Sequence, residues 1–415
     1  VHQDIGAWMV LNMCDENVVP DFLLTRESML NICSSGHEQP VCNYYCNRCG
    51  KVIDRKYTEL SWDQIKFNPN EPFRSLHEFD SMNLKSAFFS LFDSHLFVLT
   101  EDRQAHLIQY IFDSGNSKPA VHSFKLSSAK QPIKKMLTDN RFIYIHSGHQ
   151  LYVLDWVDLI SLKAEATLIN CPDKVVDILR DKYTYLITEK CVMKIQGTDS
   201  QELFNAPASE ILLALATCGD NMIIASTTES GQIALRANEM FDHMKMGQEI
   251  ILDCEWDGVK AQTLLSLGQK YYVLGLNQRT IYVGRLPGLR SNQAPNYKWD
   301  MPEPIVRVFF VKNLLYVLAG ATLSRWDMPN YTEDPDATLT SINLGNHCPS
   351  ISANGIAMCV PVTHIQKDYI AIMDLWLNQQ SISAGFADPL IAYSVLDNHL
   401  FALTQGIQTA TIYMG

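Results

Sequence analysis

The chain has 415 residues, 47% of them apolar, and a formal net charge of −12. That length and apolar share exclude wholesale disorder, and the acidic balance argues against a broad nucleic-acid-binding surface. No apolar run is as long as a membrane helix needs.

The eleven cysteines are an odd number, and Cys191, Cys218 and Cys359 lie in apolar runs. They read as buried free thiols in a reducing compartment, cytoplasmic or nuclear, and not as a disulfide framework.

In chain order, residues 1–20 hold one strand-length apolar segment, Ala7 to Leu11. Residues 21–85 differ from everything downstream and read as an insertion, with a short helix expected over 21–32. Cys33, His37, Cys42, Cys46 and Cys49 place five thiol or imidazole ligands within seventeen residues. Cys46 and Cys49, with two residues between them and followed by Gly50, have the shape of a zinc knuckle: two thiolates chelate the ion and the glycine lets the backbone turn beneath it.

A tetrahedral site takes four ligands. His37, Cys42, Cys46 and Cys49 are the first set, with Cys33 as substitute for His37 or Cys42. Four protein ligands leave no position open for water, so the zinc would be structural and would fix a segment poor in apolar residues. A cysteine-rich loop or a local disulfide is the alternative.

From Ser86 onward a meander repeats. Residues 90–100, SLFDSHLFVLT, return as residues 394–404, SVLDNHLFALT, with looser copies at 136–145 and 309–318. Each is an apolar run, a short polar turn and a second apolar run. Eight units follow: 87–112, 133–156, 175–195, 211–237, 263–286, 305–328, 351–376 and 391–414. Their spacing, roughly 35 to 50 residues, is that of four-stranded propeller blades.

Short runs at 120–126, 164–169, 337–342 and 381–384 supply fourth strands, and 239–247 reads as a short helix. One meander cannot bury both faces, whereas radial packing in a closed ring covers faces and edges together. The expectation is an all-β, closed β-propeller of eight four-stranded blades, or seven if the seventh unit, interrupted by Pro361, merges with a neighbour. The eighth unit has three runs, so residues 5–12 are expected to pair with 407–414 as its outermost strand. The domains are thus 1–20 (closing strand), 21–85 (zinc module) and 86–415 (propeller).

The sixth unit ends in Trp326 and Asp327. There the pattern resembles degenerate WD40-type blades, a likeness covering residues 86–415, although most units lack that family's Gly-His pair. The resemblance implies a propeller like those of large scaffold subunits in nuclear pore, coat, tethering, kinetochore and some transcription-factor assemblies. Its partners would be other protein subunits.

His95 and His399 read as equivalent turn residues, and Asp93, Asp139 and Asp397 as side chains that stabilise that turn. Trp156, Trp326 and Trp376 are expected to pack between blades. Lys125, Lys130, Lys134 and Lys135 read as a solvated loop. If they touched phosphate, the chain would be a nucleic-acid-associated subunit of a transcription or chromatin complex using the zinc module. Residues 333–336 form an acidic stretch that could meet a basic partner. Phosphate-loop, HExxH, nucleophile-elbow and dinucleotide-binding motifs are absent from the sequence, so no catalytic residue is assigned. The expected function is non-catalytic, with an enzyme at the propeller channel as the third reading.

Overall fold

A computed structural model describes residues 30–32, 38–40, 73–112, 119–139, 141–163, 165–181, 183–218, 221–239, 249–255, 263–267, 271–276, 279–285, 295, 297–311, 314–327, 340–343, 352–353, 357–364, 367–374, 379–382, 385–396 and 399–415. Among them strands dominate, grouped into eight four-stranded antiparallel sheets and one two-stranded hairpin. The chain divides into two compact units, residues 84–305 and residues 1–83 with 306–415.

The first unit holds five sheets in chain order. The first sheet is Ala87–Phe92, His95–Thr100, Gln104–Gln109 and Ala120–Lys125. The second is Ile133–Thr138, Phe142–Ser147, Gln150–Asp155 and Thr167–Ile169. The third is Val175–Arg180, Thr184–Thr188, Cys191–Gln196 and Asp199–Asn205. The fourth is Leu212–Cys218, Asn221–Thr227, Gln232–Glu239 and Glu249–Glu255. The fifth is Thr263–Leu267, Tyr271–Leu276, Thr280–Arg285 and Tyr297–Asp300.

The first strand of each of these sheets lies beside the first strand of the next. The second strand of the third sheet, Thr184–Thr188, then has a sheet on either face and is buried at every position, without polar alternation; His95–Thr100 is buried throughout as well. Apolar side chains fill each seam. Between the first two sheets, Phe97, Leu99, Ile143, Ile145 and Trp156 form one cluster. The fourth strand Asp199–Asn205 is mostly exposed and polar, whereas Ile250 and Leu252 of the fourth sheet's outer strand are buried.

The second unit holds three sheets. Ile305–Val311, at the junction of the units, leads into Leu314–Ala319, Thr322–Asp327 and Thr340–Asn343. Next come Ser352–Ala353, Ala357–His364, Lys367–Asp374 and Gln379–Ile382. The seventh meander unit is therefore a sheet of its own. Its second strand runs through Pro361, which stands opposite Ile370 of the third strand; among the described residues, its pairing with the first strand covers Met358 and Cys359.

The last sheet is Leu390–Leu396, His399–Gln405 and Thr409–Met414, completed by Arg74–Asp80. This corrects the expectation that residues 5–12 would take that edge. Arg74↔Met414 through Asp80↔Thr409 occupy it, with a register shift between Ser75 and His77. The segment that does the pairing is polar, with Leu76 its one buried residue, because an outermost strand has little to bury. A search for apolar runs passes over it. Residues 1–29 lie outside the described residues.

Three smaller corrections follow. Leu30–Ile32, expected as the end of a helix, pairs with Glu38–Pro40. Glu239, expected to start a helix, ends a strand, and 240–247 lie outside the described residues. The outer run of the second unit stops at Asp155, whose side chain caps a five-residue helix, Trp156–Ile160. Among the described residues no helix is long and apolar enough to cross a membrane.

Candidate interaction surface

The turns joining second to third strands are tied down by a repeated bond. The N–H that opens the next sheet's first strand donates to the previous sheet's turn: Ile133 to the Glu101 carbonyl at 3.0 Å, Val175 to His149 at 3.0 Å, Leu212 to Glu189 at 2.9 Å. Buried threonines finish the turns. Thr100 Oγ1 accepts from the Gln104 N–H at 3.0 Å, and Thr188 Oγ1 accepts from Cys191 at 2.9 Å. The threonine that closes the 90–100 repeat is thus a turn device. Its counterpart Thr404 is also buried, but its hydroxyl meets no partner among the described residues.

At the third-to-fourth seam a charged pair is buried. The Arg236 guanidinium donates from both terminal nitrogens to the two carboxylate oxygens of Glu210, with Nη2–Oε1 at 2.7 Å. Ser226 Oγ donates to Glu210 Oε2 at 3.0 Å. Burial pushes the Glu210 carboxyl up, but the bonds from Arg236 and Ser226 outweigh it and hold the group below the usual range.

At the second-to-third seam, His146 is buried and its pKa is lowered to about 4, by burial first and then by the nearby Lys134 ammonium. The opposite end of the same seam is joined by Tyr144. Its hydroxyl donates to Asp139 Oδ2 at 3.1 Å and accepts the Gly197 N–H at 3.0 Å. Gly197 directly follows its sheet's third strand, at φ +60°, and an added Cβ would sit 2.7 Å from the Phe142 ring. Glycine is the residue that takes this conformation without steric cost.

The first-to-second seam is finished differently at that end. Tyr110 occupies the position matching Gly197, immediately after Gln104–Gln109, with φ +56°. Leu162, just past the short helix, has φ +59°. Both side chains are 54% exposed, and Val157 on the helix is 64% exposed. The Gln109 side chain donates to the Ile160 carbonyl at 3.4 Å, so this end of the first sheet abuts the helix of the second. Beneath Tyr110, at 5.3 Å between ring centroids, lies the buried His95, neither of whose ring nitrogens has a hydrogen-bond partner among the described residues.

His95 and His399 do open equivalent strands, paired with Phe92 and Leu396. Asp139 stabilises its turn as expected, its Oδ1 accepting from Arg141 N at 2.8 Å and Phe142 N at 2.6 Å; Asp93 sits in its turn at φ +53°, and Asp397 lies outside the described residues. Trp156 packs between the first two sheets, stacked on Phe92 at 5.4 Å, and Trp326 is buried; Trp376 lies outside the described residues. Cys191 is a buried free thiol.

Of the four lysines, Lys134 donates to the Gly148 carbonyl at 2.6 Å and Lys135 pairs with Asp177 at 3.0 Å, while Lys125 and Lys130 are exposed. Cys33, His37, Cys42, Cys46, Cys49 and 333–336 lie outside the described residues, and among the described residues no group of His, Cys, Asp or Glu could hold a metal.

Sequence reading missed Tyr110, Val157 and Leu162. Aligning the ends of the third strands, Gln109-Tyr110 against Gln196-Gly197, would have shown an aromatic where a sister unit has glycine.

No protein-family model matches the chain, and no curated protein sequence does. Solved structures do. The chain is similar to Sqt1 of Saccharomyces cerevisiae (TM-score 0.54, 9% identity, 83% of this chain and 100% of that one). It is similar to BamB of Moraxella catarrhalis (TM-score 0.50, 8% identity, 83% and 100%). It is also similar to Raptor of Chaetomium thermophilum (TM-score 0.50, 11% identity, 88% of this chain but 31% of that one). At such identities the likeness shows the fold alone, that of a β-propeller.

Proposed function

We propose that this chain is a non-catalytic interaction platform, a propeller subunit of a larger multiprotein assembly. The observation that carries this reading is the contrast within residues 84–305 between turns held rigid by repeated bonds and apolar side chains held out to solvent in left-handed backbone. Rigid presentation of exposed apolar groups lowers the ordering cost of association. Such a site asks nothing of a reactive group. Affinity purification of the full chain from its own cells, followed by sizing of the complexes, tests it: stoichiometric protein partners are expected, and a chain that elutes alone would refute the reading.

The reading extends to the cysteine cluster. His37, Cys42, Cys46 and Cys49, with Cys33 as substitute, would bind one structural zinc ion in a cytoplasmic or nuclear protein. Elemental analysis of purified protein should find about one zinc per chain, the loading of one closed four-ligand site. Disulfides among these cysteines, or no metal, would remove the site.

A further inference from the structure

From the first-to-second seam we infer a docking site for an apolar, basic-flanked segment of a partner protein, centred on Tyr110, Val157 and Leu162. The inference rests on the platform reading and assigns it one surface and one partner chemistry.

Three observations converge on this patch. Tyr110 and Leu162 are bulky residues in left-handed backbone, where an L side chain crowds its own carbonyl. The third sheet meets the same backbone need with Gly197, so the fold itself does not require a side chain there. Both residues are also more than half exposed, so packing, which for Tyr110 includes the His95 ring at 5.3 Å, offsets the strain only in part. Strain with little packing gain is the mark of a residue retained for contact with something outside the chain.

The second observation is His95, buried under the Tyr110 ring with both nitrogens unpartnered among the described residues. A buried polar group without a partner is costly, and a segment that displaces or stacks on Tyr110 would bring a hydrogen-bonding group to it.

The third is charge. In the segments that carry the patch, Asp93 in the turn before His95 and Asp158 and Glu165 within 157–165 are exposed and carry no ion pair among the described residues, against the exposed Lys163; Arg141 is already paired with Asp155 at 3.0 Å. An acidic rim about an apolar centre favours lysine or arginine beside the partner's apolar residues.

The test is a selection of displayed random peptides on the full chain, read against two variants: Y110G with L162N, which put strain-tolerant residues at the left-handed positions, and V157S, at an exposed helical position. Expected are peptides with an apolar centre and lysine or arginine flanks. Their affinity should fall about tenfold or more in each variant and weaken with added salt, while the melting temperature of the double variant is not lowered. Enrichment of acid-flanked peptides, failure to enrich any, or undiminished binding by both variants would overturn the site. A melting temperature lowered in the double variant with peptide binding intact in V157S would overturn it too, because the two residues would then be structural. Partners still purifying with the double variant would refute this patch alone; loss of every partner by the unaltered chain would refute the platform reading.

Discussion

The seams between the second, third and fourth sheets and the seam between the first and second are built from the same meander, yet they end differently. In the former, polar groups answer one another: Tyr144 with Asp139 and Gly197, and Arg236 with Glu210 and Ser226. In the latter, the His95 ring nitrogens have no hydrogen-bond partner among the described residues, and Tyr110 stands where the third sheet has glycine. The difference teaches that a repeated fold exposes its functional positions as departures from its own pattern. Neither residue type nor burial marks Tyr110 by itself; its sister position does.

The comparison can be broken most severely at the Arg236–Glu210 pair. R236M leaves a buried carboxylate uncompensated and should cost about 3–5 kcal/mol in urea unfolding, whereas replacing both partners by apolar residues should recover most of that. Because Glu210's folded pKa lies below its ordinary value of about 4.3, its contribution is complete above that value and drains as pH falls through the lower folded one. If R236M and the wild type lose stability in parallel on acidification, the pair is not the source.

Acid should also loosen the second-to-third seam. His146 titrates near its ordinary value, about 6.5, when unfolded, and at about 4 when folded. Stability is therefore full above pH 6.5 and declines as pH falls toward and below 4, by about 3 kcal/mol in all. Unfolding followed against pH in H146F should lose that slope; an unchanged slope would assign it elsewhere.

The left-handed positions sharpen the comparison by giving opposite signs. G197A drives a Cβ onto the Phe142 ring and strains φ, and should cost about 1–3 kcal/mol. Y110G should leave stability unchanged or raise it by up to about 1 kcal/mol. Equal losses in thermal melts of the two would erase the distinction between the seams.

The smallest effect is at the threonines. T188V breaks the bond to the Cys191 N–H and should cost about 1 kcal/mol, whereas T404V, removing a hydroxyl that meets no partner among the described residues, should be neutral or stabilising. Comparable losses from both would mean that the turn bond is not what distinguishes them.

Much of the architecture was legible in sequence. Apolar runs with short polar turns located the first three strands of nearly every sheet, because buried second strands must be apolar throughout and turns must not. The fourth strands of the third and fifth sheets, Asp199–Asn205 and Tyr297–Asp300, were missed for the reason that Arg74–Asp80 was: an outermost strand buries little, so its sequence carries little apolar signal; Glu249–Glu255 was missed although its Ile250 and Leu252 are apolar and buried. The turn role of Asp139 and the packing of Trp156 were legible too, since each depends on chemistry the residue brings with it.

The sequence by itself determined the all-β class, the number of meander units and the acidic character of the chain, which are properties of composition and short-range pattern. Only the tertiary structure decided that Arg74–Asp80 completes the last sheet, that Glu210 meets Arg236, and that Tyr110 and Leu162 stand out in left-handed backbone beside one helix. These facts depend on pairings across tens or hundreds of residues and on backbone dihedrals, for which residue order within one strand carries no signal.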